Sequence, residues 1–239
     1  MAAERFLLIE KAAERLGQDR KPILDRIVDC NDGDWYLREK IIKAPDDGTL
    51  LDNTRPLKYA YNFLLNDAKV TFVREGSDPS PDLMVSAIGL TFYVEVRKFR
   101  MGIGSGASDP VSKIVDAIDE KRSQLPDAAI GFVAIDNFDI RIEPGFGHGH
   151  IDEALSEIER RATSNPAGWR KPSGVIVATA STIGSGPVIS GPPHLVWTNP
   201  AAEPFAPPLL VKWVVAALPN GEFVGTTPPA SAVTEPVSR

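Results

Sequence analysis

The 239-residue chain has a single cysteine, Cys30, so no intramolecular disulfide is open to it and a reducing compartment suits it. Long apolar runs are missing as well. The longest, Leu209 to Leu218, is too short to span a bilayer and contains Lys212. Glu4, Arg5, Glu10 and Lys11 interrupt the N-terminal apolar residues, so no signal peptide is expected and the chain reads as cytoplasmic, with no membrane contact. Positive charge is in deficit, with 26 Lys and Arg against 32 Asp and Glu, a net charge of −6. That balance argues against indiscriminate nucleic-acid binding, which rests on neutralising phosphates. It leaves room for a metal site, which is acidic by construction. No internal repeat is found. What remains, 43% apolar and 24% charged residues, is the composition of a globular protein long enough to bury one substantial core.

The N-terminal residues 1–53 read as a helical region. Phe6, Ile9, Ala13 and Leu16 fall near helical spacing over 2–16, Pro22 opens a second short helix, and Trp35 to Ile42 suggests a third. Residues 54–181 alternate helix and strand. Thr54 and Pro56 mark the start of a helix over Leu57 to Leu65, and Lys69 to Arg74 alternates as a strand. A helix begins at Asp109-Pro110, with Val111, Ile114, Val115 and Ile118 at i, i+3, i+4 and i+7. Ala128 to Ile135 and Gly174 to Ala180 are short apolar strands suited to a sheet covered on both faces, separated by an amphipathic helix over Ile151 to Thr163. Residues 182–226 form a Pro- and Gly-rich extension with two strand-like runs, Leu195–Thr198 and Leu209–Leu218, the second turning at Asn220-Gly221. Eleven of the 21 prolines lie between Pro187 and Pro236. Residues 227–239 lack a core-forming pattern and are expected to be disordered.

The most informative segment runs from Pro81 to Arg97. It reads as two β-rich runs joined by a two-residue turn at Ile88-Gly89. Facing positions in such a hairpin sum to 177, which sets Asp82 opposite Glu95, and Arg97 falls on the same face two residues later. Two carboxylates and a cation on rigid strands suit a hard divalent metal beside a phosphate. Glu95 lies in an apolar strand where an unpartnered acid is costly. An ion pair with Arg97 is the plain alternative.

Pro81-Asp82, a hairpin, then Glu95-Val96-Arg97 resembles the signature of the PD-(D/E)xK nuclease superfamily, with Arg97 where the usual residue is Lys. The order helix, three strands, helix, strand, helix, strand over about 54–181 is similar to that family's core. The resemblance implies an α/β fold with a restriction-endonuclease-like mixed central sheet, an αβββαβ core plus an extra αβ pair, with flanking helices. It also implies Mg²⁺ or Mn²⁺ held by Asp82 and Glu95, with the Val96 carbonyl as a further ligand, and DNA as the partner and substrate of phosphodiester hydrolysis. Association with a second copy of the chain is left open. Arg97 stays protonated, so it cannot act as a general base but can stabilise phosphoryl charge.

The signature leaves several positions open. Lys98 points to the other face, while Lys113 or Lys121 of the following helix are candidates for the missing lysine. Nucleases of this kind often add an acid from the helix before the first strand. That helix offers Tyr59, Tyr61, Asn62 and, near its end, Asp67, so Glu75 is the preferred extra metal ligand, ahead of Asp78. Gln124 reads as part of a solvated helix face. Gly102, Gly104 and Gly106 read as a flexible crossover rather than a phosphate cradle, and no standard P-loop follows. His148 and His150 lack the further ligands zinc needs, and His194 is remote in sequence. The four tryptophans read as core or interface anchors. The runner-up function is a catalytically impaired nuclease-like fold that serves as a binding or scaffold module.

Overall fold

The computed structural model describes residues 2–76, 80–98, 110–136, 149–178 and 194–225. The glycine loop at 102–106, Asp78, His148, the side chain of His150 and the tail at 227–239 lie outside the described residues.

Among the described residues, seven strands form one mixed sheet in sequence order. They are β1 (Lys69–Phe72), β2 (Leu83–Ala87), β3 (Leu90–Lys98), β4 (Ile130–Asp136), β5 (Gly174–Ala178), β6 (His194–Thr198) and β7 (Gly221–Phe223). The first three are antiparallel neighbours, β3, β4 and β5 run parallel, β6 reverses, and β7 runs parallel to β6. Parallel neighbours need a crossover. Helix α5 (Pro110–Arg122) supplies the first and α6 (Gly149–Ser164) the second. Strands β4 and β5, buried on both faces, are near-continuous apolar runs for that reason.

The hairpin has the expected register. Leu83 pairs with Val94 and Ala87 with Leu90 across Ile88 and Gly89, whose φ angles of 49° and 78° make the turn that matches strand twist. Leu83, Val85, Phe92 and Val94 face a core shared with the N-terminal helices α1 (Ala2–Leu16), α2 (Lys21–Val28) and α3 (Gly33–Tyr36, continuing π-helically over Leu37–Ile42). Helices α4 (Asp47–Leu65) and α7 (Pro208–Ala217) complete that layer, where Phe63 lies 5.7 Å from Trp213 and 5.8 Å from Phe92 between ring centres. On the opposite face Val133, Ile135, Val175 and Val177 pack against Ile114 and Ile118 of α5 and Ile158 of α6.

Two expectations need correction. Helix α4 begins at Asp47 rather than near Thr54, because the Asp46 side chain caps it by accepting from Thr49 N at 2.7 Å, and Pro56 falls in its interior. The run Leu209–Leu218 is helix α7, not a strand. Pro208 sits in its first turn and Leu210, Val211 and Val214 form one apolar face, so helical spacing decides over the β-branched content. The turn at Asn220-Gly221 therefore leads out of a helix into β7, which pairs with β6.

Candidate functional site

Alternation along β3 sends Phe92, Val94 and Val96 into the α4 side and Tyr93, Glu95 and Arg97 toward α5. The register carries Asp82, one residue before β2, onto that second face opposite Glu95. Asp82 is tied down through its side chain: Oδ2 accepts from the Val96 amide at 2.8 Å. Its carbonyl accepts from Val73 N at 3.0 Å, which extends the β1–β2 ladder. The acid is thereby fixed to both neighbouring strands.

Glu95 is 2% exposed and pairs with Lys121 of α5, whose Nζ lies 2.6 Å from Oε1. The Gln124 amide, oriented to satisfy its neighbours, donates to the two Glu95 oxygens at 2.9 and 3.2 Å and accepts from Lys121 Nζ at 2.8 Å. Burial raises the Glu95 pKa above the ordinary carboxylate range, the Asp82 charge adds to this, and Lys121 opposes it. Asp82 is also raised, chiefly by burial, against the pull of the Val96 hydrogen bond. The Asp82 charge thus disfavours ionisation of Glu95, a repulsion that a cation between them relieves.

These groups form the floor of a cleft of about 990 Å³. Along α5, Lys113, Asp116, Ala117, Glu120 and Lys121 recur at helical spacing and make one wall, which Gln124 continues just past the helix end. Tyr36, Lys40, Asp52 and Asn53 come from the N-terminal helices and the start of α4.

The expected site residues divide accordingly. Asp82, Glu95 and Val96 meet at the floor. Arg97 lines the cleft but turns to Glu120, with Nη2 3.4 Å from Oε2, and the ammonium on Glu95 comes from Lys121. An ion pair of Glu95 with Arg97 is therefore replaced by one with a helix residue, because α5 packs directly over that face of β3. Glu75 lines the cleft, 74% exposed and paired with Lys40 at 2.7 Å. Among the described residues no group of three or more His, Cys, Asp and Glu is arranged to hold a metal. The acids converge as a pair.

Gln124, read from sequence as solvated, is part of the floor. Tyr59 is in the core, and Asp67 is exposed at the far end of α4. His194 is buried in β6, its Nδ1 2.9 Å from the Pro219 carbonyl oxygen. Lys98 pairs with Asp136 in register, and its side chain lies outside the described residues. Sequence reading missed Asp52 and Asn53 because it started α4 too late. The capping pattern Asp46-x-x-Thr49 was the available signal. Tyr36 and Lys40 carried no signal, since their approach to the cleft depends on how the N-terminal helices pack. No protein-family model matches the chain, and no curated protein does either. Among the described residues no helix is long and apolar enough to cross a membrane.

Proposed function

We propose that the chain is a metal-dependent phosphodiesterase acting on DNA, built on a restriction-endonuclease-like sheet. One observation carries this reading: a buried carboxylate, Glu95, and a half-buried one, Asp82, lie opposite each other across a hairpin, with a helix-borne ammonium on Glu95, at the floor of an open cleft. The donor set fits Mg²⁺ or Mn²⁺. Two hard oxygen donors at the lining of the cleft suit an ion that keeps several waters and takes few protein ligands. Asp82 and Glu95 would hold it, with the Val96 carbonyl alongside. Bound there, the ion supplies Lewis-acid polarisation of a phosphoryl oxygen and acidifies water at neutral pH.

The chain's own residues do the rest. The Val96 amide fixes the Asp82 carboxylate, and Gln124 fixes that of Glu95. Lys121, paired with Glu95 and lining the cleft, is the ammonium that would stabilise a phosphoryl oxygen there. It, rather than Arg97, fills the role of the signature lysine. Arg97, 42% exposed at the side chain, serves the approach of the phosphate backbone.

The parent protein should nick or cut DNA with Mg²⁺ or Mn²⁺, and Glu95→Ala should abolish cleavage. Lys121→Met should lower the rate by about 10²-fold or more, the scale of losing a charge-stabilising donor. Arg97→Ala should lower it less than Lys121→Met does. If neither duplex, single-stranded nor branched DNA is cut, hydrolysis is ruled out.

A second reading has its own observation. The triangle of Glu95, Lys121 and Gln124 satisfies itself without a cation. A nuclease-like fold with that triangle permanently closed would bind or scaffold without cutting.

A further inference from the structure

The proposed chemistry occupies only the floor of the cleft. A volume of about 990 Å³ lies at the upper end of pockets that enclose whole small molecules, roughly 300–1,000 Å³. It leaves room beyond one phosphodiester. The wall contributed by the N-terminal helices carries a further cation, Lys40. Its segment, Leu37–Ile42, is π-helical, a geometry that is rare and recurs at functional sites.

That segment is braced. The Asn53 side chain donates to the Lys40 carbonyl at 2.6 Å, and the Tyr36 hydroxyl donates to the Asn53 carbonyl at 2.9 Å. The brace holds the Lys40 backbone while its ammonium reaches into the cleft, 25% exposed at the side chain. The carboxylate it meets there, Glu75, is 74% exposed, and an ion pair so open to water exchanges readily with a competing anion.

A second, independent observation lies in the same cleft. Ser80, two residues before Asp82, lines it, and its Oγ, shielded from solvent, has no hydrogen-bond partner among the described residues. A buried hydroxyl in that state is a donor awaiting an acceptor.

We propose that Lys40 and Ser80 form a phosphate subsite that holds a DNA phosphodiester flanking the one at the floor, and that this phosphate displaces Glu75 from Lys40. The ligand class rests on the nuclease reading, but the subsite is testable without catalysis. Binding of a fluorescein-labelled single-stranded DNA oligonucleotide is measured by anisotropy in EDTA across a salt series. Lys40→Ala should weaken binding about tenfold and reduce the slope of log affinity against log salt by about 0.7, the share of one phosphate contact on a single strand. Lys40→Arg should retain both. Ser80→Ala should weaken binding about threefold with the slope unchanged, since it removes a neutral donor. Glu75→Gln should tighten binding, because it removes the competing carboxylate and alters only an exposed side chain.

The subsite is overturned if Lys40→Ala leaves affinity and slope unchanged, if Glu75→Gln weakens binding, or if the parent does not bind the oligonucleotide. A parent that binds with this mutational pattern yet never cuts supports the subsite and overturns hydrolysis. A parent that cuts while Lys40→Ala binds normally overturns the subsite alone.

Discussion

At the scale of single residues, the decisive fact is that Glu95, buried, and Asp82, half-buried beside it, both resist ionisation. A carboxyl whose pKa is higher folded than unfolded stabilises the fold most below its unfolded pKa, and that contribution is lost as pH rises through the folded value. With both shifts upward, the loss sets in at the ordinary carboxylate values and continues to about pH 6 for Asp82 and about pH 8 for Glu95. Thermal melts should therefore show the parent losing stability between about pH 5 and pH 8. Asp82→Asn and Glu95→Gln should flatten that dependence and raise the melting temperature at the alkaline end. A pH-independent difference between parent and variants would show that the two acids do not titrate in this window. Lys121 limits the effect without cancelling it, since its charge favours the ionised form of both acids while burial is the larger cause at each.

At the scale of elements, the hairpin and α5 build the site. Ile88 has φ 49°, a left-handed conformation that a β-branched side chain adopts at a cost, and it is 43% exposed. Ile88→Asn should therefore stabilise the protein by about 1 kcal/mol, raising the melting temperature by about 2–4 °C. A lower melting temperature would contradict the turn assignment. This turn was legible in the sequence, because period-two alternation on both sides of Ile88-Gly89 permits one register, and that register alone brings Asp82 opposite Glu95. Helix α5 was legible from its apolar stripe, but the partner of Glu95 was not. Arg97 and Lys121 are both compatible with a cation on that face, and only the packing of α5 against β3 decides for Lys121. Helix α7 was misread because Leu209 to Leu218 is apolar almost throughout, so neither period stands out until Pro208 is recognised as a first-turn residue. Lys40 and Tyr36 could not be placed at all, since their position depends on contacts between helices distant in sequence from the hairpin.

At the scale of the molecule, the sheet does not stop at β5. Strands β6 and β7 continue it, and α7 lays Trp213 on Phe63 of α4. A chain ended at residue 181 would expose the β5 edge and strip that aromatic layer. Size-exclusion chromatography and near-ultraviolet dichroism should show it aggregated or lacking fixed tertiary structure, whereas a well-folded monomer would mean that residues 182–226 are dispensable. The N-terminal helices share a core with the sheet and line the cleft, so the scaffold that presents Asp82 and Glu95 is drawn from most of the chain. The central claim is that this scaffold presents the two carboxylates to a divalent cation. The most direct measurement is anomalous diffraction from crystals soaked in Mn²⁺. The account predicts a single strong peak between the carboxylates of Asp82 and Glu95, with Lys121 moved off Glu95, and no peak there in Asp82→Asn. A parent crystal with Glu95 still closed on Lys121 and no density between the two acids would contradict it.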